Sequence, residues 1–126
     1  KLHPNENKVW RTEYPRLSEM KNTKIYDSGS VYDVLSQSDV TIGINSTVFF
    51  EALAYEDLQI YIYTIGDYEG MKPLIENKMA TAVITPEEFL EKISREEIYK
   101  TKSDIGKSLW KDNAEDNIYE KLKNII

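Results

Sequence analysis

The residue types with the most chemistry to offer fall in one short stretch: Gly43, Asn45, Ser46, Thr47 and Glu51. They lie in the run Asp39-Val40-Thr41-Ile42-Gly43-Ile44-Asn45-Ser46-Thr47-Val48-Phe49-Phe50-Glu51-Ala52-Leu53. That run reads as a strand, a short polar turn, and a helix apolar on nearly every side. In a parallel α/β sheet it places Gly43 to Thr47 at the carboxyl end of a strand, where such folds collect their ligands. Backbone N–H groups at the start of a helix attract an anion, and the helix dipole adds to the attraction. The hydroxyls of Ser46 and Thr47 can donate two further hydrogen bonds to a phosphate, and Gly43 lets the backbone approach closely. The plainer alternative is that Asn45 or Ser46 only caps the helix. Both uses are compatible, because one hydroxyl can cap while neighbouring N–H groups stay free.

Glu51 follows Thr47 by four residues and so shares its helix face. Its neighbours Val48, Phe49, Phe50, Ala52, Leu53 and Ala54 suggest a mostly buried helix. A carboxylate there is costly without partners. Ribose hydroxyls would serve, since one carboxylate can accept from both; a favourable position in the helix dipole is the alternative.

His3-Pro4 is a second candidate, carrying the sole imidazole of the chain. A ring N–H can hydrogen-bond a phosphate, and a bound phosphate favours the charged ring. Taken alone, a single histidine is more often an ordinary surface or packing residue. Pro4 fixes the turn and biases His3 toward extended geometry. The glycine-bounded loop Gly66-Asp67-Tyr68-Glu69-Gly70 follows the next strand on the same sheet edge, either closing over a ligand or simply connecting. No GxGxxG, GxxxxGK[ST] or HExxH motif occurs.

Positioning these residues requires an alternation of strands and helices. The expected strands are residues 23–26, 40–44, 59–64 and 81–84, with helical patterns over 30–37, 46–55 and 71–77. Asp27-Ser28-Gly29-Ser30 reads as a turn and N-cap. The segment from Asn5 to Met20 reads as a short helix or ordered loop. Thr85-Pro86-Glu87-Glu88 marks a helix start, with an N-cap threonine, proline at the first helical position and glutamate three residues after the cap. From Glu96 onward Ile98, Ile105, Leu109, Trp110, Ile118, Leu122 and Ile125 keep a helical pattern, interrupted at Gly106 or at Asp112-Asn113. The expected fold is one α/β domain over 1–126, a Rossmann-like parallel sheet flanked by helices with a helical C-terminus.

Composition narrows the chemistry further. The chain has 126 residues, no cysteine and a net charge of −6. Thiolate metal sites, disulfides and cysteine nucleophiles are therefore excluded, and a lone histidine argues against a zinc site. The acidic balance argues against a nucleic-acid partner. No apolar run approaches the roughly 18 residues of a membrane span.

In order and spacing, Lys-Leu-His-Pro-Asn-Glu at 1–6, Val31-Tyr32-Asp33-Val34-Leu35, Ser38-Asp39-Val40, Gly43 and Ser46-Thr47-Val48-Phe49-Phe50-Glu51-Ala52 resemble the C-terminal domain of GT-B transferases. The pattern is similar to bacterial surface-polysaccharide enzymes, namely sialyltransferases and polysialyltransferases with a His-Pro motif and CDP-glycerol glycerophosphotransferases. The likeness covers residues 1–55, and the remainder only through its alternation of elements. It implies a donor-binding role in which His3, with Pro4, and the Ser46-Thr47 pair contact the donor phosphate. His3 would then act catalytically by stabilising the departing nucleotide. Glu51 would hold the ribose or support the site. It also implies a nucleotide-activated sugar or CDP-activated polyol as ligand, no bound metal or cofactor, and a cytoplasmic setting extending to the inner membrane face. The strand and helix that precede the His-Pro segment in this family are missing here, as is the acceptor-binding half. The chain alone is therefore expected to be inactive and truncated at its N-terminal side. Two other classes stay open: a sugar-nucleotide epimerase domain of GT-B shape, and a non-catalytic interaction module using Trp10, Tyr14 and Tyr68.

Overall fold

The computed structural model describes residues 1–94 together with Asn113 and Lys123. It divides into two compact units, Lys1–Ser38 and Asp39–Ile126.

The first unit is mostly turns and short helices. Helix α1 spans Trp10–Glu13 and is followed by a single 3-10 turn over Pro15–Ser18. Pro15 lacks an N–H and cannot continue the α-helical ladder, so it starts a new turn instead. Trp10 is buried, and the Arg11 guanidinium lies 4.5 Å from its ring centre. Helix α2 spans Val31–Leu35, with the Ser30 hydroxyl accepting the Tyr32 N–H at 3.1 Å. Gly29, with φ of +79°, makes the left-handed step into that cap.

The second unit contains a three-stranded, all-parallel sheet in the order β1-β2-β3, with β1 at Val40–Gly43, β2 at Gln59–Tyr63 and β3 at Thr81–Val83. Helix α3 (Val48–Ala52) connects β1 to β2, and α4 (Lys72–Glu76) lies between β2 and β3. Helix α5 (Pro86–Ser94) follows β3. The expected parallel α/β arrangement is therefore present in this unit.

The register shows how the helices cover the sheet. Gly43 pairs with Ile62 and Ile62 with Ala82, while Ile42 pairs with Tyr61 and Tyr61 with Thr81. Successive strand residues point to opposite faces. The Phe49 ring of α3 meets the Gly43 side, whereas the Phe89 ring of α5 packs edge-on against Tyr61, with centroids 5.1 Å apart. Helices thus lie on both faces, and the central strand is buried on both: Ile60, Tyr61 and Ile62 are each nearly inaccessible. Leu58, Leu74 and Val83 complete the innermost core.

Several expected boundaries shift. Residues 23–26 form no strand; Tyr26 instead accepts one backbone hydrogen bond from the Leu2 N–H, at 2.9 Å. Propensity alone cannot make a strand without a neighbouring ladder to satisfy its backbone groups. The helix expected over 46–55 is regular only through Val48–Ala52, after which Leu53, Ala54 and Tyr55 donate to residues three back, a tightening 3-10 tail. The helical pattern from Glu96 lies outside the described residues, except that Asn113 adopts φ of +58° at one of the expected interruptions.

Candidate functional site

The Gly43–Thr47 turn sits at the carboxyl end of β1, one strand from the sheet centre. Ser46 performs the cap: its Oγ accepts the Val48 N–H at 3.3 Å, and its carbonyl accepts the Phe49 N–H at 3.1 Å. Thr47 makes no side-chain cap bond. With Val48 satisfied, the backbone N–H groups of Ser46 and Thr47 make no hydrogen bond to another described residue. The Ser46 hydroxyl therefore caps while these two N–H groups make no bond to another described residue, and one hydroxyl allows both. Asn45 and Thr47 are exposed; Ser46 and Glu51 are half-buried. Glu51 is thus less buried than its apolar neighbours suggest, because α3 buries only Phe49 and Ala52.

Gly43 has a packing role. A Cβ at that position would stand 2.9 Å from the tip of the Phe49 ring, and Phe49 itself is 2% exposed. The absent side chain makes room for an aromatic core residue, which explains the glycine without a ligand.

A contact that the sequence does not announce lies between the loops following β1 and β2. Asn45 Oδ1 is 3.7 Å from where a Gly70 Cβ would be. The Gly43–Thr47 turn and the Gly66–Gly70 loop therefore adjoin at the carboxyl edge of neighbouring parallel strands. Within the second loop, Asp67 accepts the Glu69 N–H at 3.3 Å, and Glu69 forms an ion pair with Lys72 at 2.6 Å. Two strand-end glycines hinted at this loop, but only the strand register could bring it beside Asn45.

His3 and Pro4 belong to the first unit. His3 is exposed, its N–H donates to Glu6 Oε2 at 2.9 Å, and its Nδ1 accepts the Asn5 N–H at 3.2 Å. With Nδ1 accepting, the neutral ring carries its proton on Nε2, which is the nitrogen left to donate outward. A hollow of about 330 Å³ in the same unit is lined by Leu2, Glu6, Tyr14, Lys24 and their neighbours. Two buried polar atoms in this unit lack a partner, Asn7 Oδ1 and Trp10 Nε1, although Asn7 Nδ2 donates to the Asp27 carbonyl at 2.6 Å.

Among the described residues no cluster of three or more histidine, aspartate or glutamate side chains is arranged to hold a metal ion. No helix among them is long and apolar enough to cross a membrane. Compared with known proteins, the chain matches no family model, no curated protein and no solved structure.

Proposed function

We propose that the chain is the donor-binding domain of a glycosyltransferase or sugar-phosphate transferase that makes capsular or other surface polysaccharide. The ligand is a nucleotide-activated sugar or a CDP-activated polyol, held through its phosphate at the Gly43–Thr47 turn. The observation that carries this reading is the junction of that turn with the Gly66–Gly70 loop, at the carboxyl edge of two adjacent parallel strands. Open parallel α/β sheets bind ligands at that edge. The free N–H groups of Ser46 and Thr47 and the Thr47 hydroxyl supply donors for phosphate oxygens, and the exposed Asn45 amide adds another. Glu51, half-buried on the first turn of α3, takes the ribose hydroxyls or supports the turn. In the first unit, His3 has Nε2–H left to donate to a phosphate, and such donors stabilise a leaving group as negative charge builds on it. Acceptor binding and the general base are assigned to a separate domain.

The test is a titration of the isotope-labelled chain with CMP, CDP, UDP and GDP, following backbone amide shifts. One nucleotide is expected to move Gly43 to Thr47. If the four leave residues 43–47 unmoved at millimolar concentration, the donor-binding reading is wrong. Sugar transfer by the chain alone would overturn the assignment of acceptor chemistry to another domain.

A further inference from the structure

We draw no further inference here: the strongest candidate, the outer edge of β1 with the exposed Ile42 on the sheet face opposite α3, carries nothing because nothing in the structure shows what covers it.

Discussion

The tip of the Phe49 ring stands 2.9 Å from the position a Cβ would take on Gly43, six residues earlier in the chain. This one contact ties the end of β1 to the helix that follows and sets how tightly the polar turn between them must fold. It also gives the glycine a packing reason. A residue that reads as permitting close approach of a ligand is also required by an aromatic ring packed in the core.

Gly43→Ala is therefore expected to destabilise the fold. Phe49 is 2% exposed, so its ring has little room to swing away. Overpacking of this kind costs about 1–3 kcal/mol. Urea unfolding of the variant, alone and combined with Phe49→Leu, measures the effect. A smaller penalty for Gly43→Ala in the leucine background identifies the ring as the cause; an equal penalty in both backgrounds refutes it.

Lys78 holds φ of +57° just past the end of α4. Its N–H bonds to the Ile75 carbonyl at 3.0 Å, and the Met79 N–H reaches back to Leu74 at 2.8 Å. That pair of bonds is a Schellman closure, a position that favours glycine. A side chain in the left-handed region costs roughly 1 kcal/mol. Lys78→Gly should stabilise the fold by up to about 0.6 kcal/mol, the relieved strain less the roughly 0.4–1 kcal/mol that glycine adds to the freedom of the unfolded chain, read as a raised urea midpoint. A drop in stability would show that the lysine side chain contributes something the backbone geometry does not reveal.

Ser46 and Thr47 should separate by experiment. Ser46→Ala removes the hydroxyl that accepts the Val48 N–H, and loss of an N-cap costs about 1 kcal/mol. Thr47 makes no cap bond and is exposed, so Thr47→Ala should leave stability unchanged. If the turn binds a phosphate, the same substitution weakens nucleotide binding about tenfold, the worth of one hydrogen bond to a charged group. Thermal unfolding beside calorimetric titration distinguishes the two roles. Unchanged nucleotide affinity in Thr47→Ala would remove that hydroxyl from the proposed site.

Glu88 and Lys92 give the structure a pH dependence. The Lys92 ammonium, 2.8 Å away, and then the Ile84 N–H hold the Glu88 carboxyl below its ordinary value of 4.5. A carboxyl whose folded value is depressed contributes stability that is complete above the unfolded value. That contribution fades as pH falls through the folded value. Acidification below about pH 4.5 should therefore loosen the start of α5, where Glu88 also receives the Ile84 N–H. Lys92 donates as well to the Ala82 carbonyl of edge strand β3, at 2.8 Å, so the same step weakens the tie between helix and sheet. Carboxyl-detected NMR should find Glu88 titrating below its ordinary value in the parent chain and moving upward in Lys92→Ala. An unchanged midpoint would mean that the ion pair does not hold in solution.

Local rules decided much of this protein from the sequence alone. Ser30 as the cap of α2, the Thr85-Pro86-Glu87-Glu88 start of α5 and the strand–turn–helix order around Ser46 are all legible. Each depends on side chains reaching backbone groups two to four residues away. At the α5 start the Thr85 hydroxyl accepts the Glu88 N–H, and the Glu88 carboxylate reaches back to the backbone N–H of Ile84 at 2.7 Å and, more weakly, toward that of Thr85. The strands over 40–43, 59–63 and 81–83 were legible for a related reason, because short apolar runs rich in β-branched or aromatic residues and bounded by turn residues mark strands, and only the central one is buried on both faces.

Tertiary structure decided whatever depended on distant partners. Residues 23–26 carry strand propensity, yet they form no strand, because a ladder needs a neighbour and propensity does not provide one. Asn45 meets Gly70 only because β1 and β2 run parallel in a register that brings their carboxyl ends level. The division at Ser38 follows from which residues pack together, and no composition change marks it. Gly43 is the sharpest case. Its identity is printed in the sequence, but its reason, the ring of Phe49, exists only once strand and helix have folded against each other.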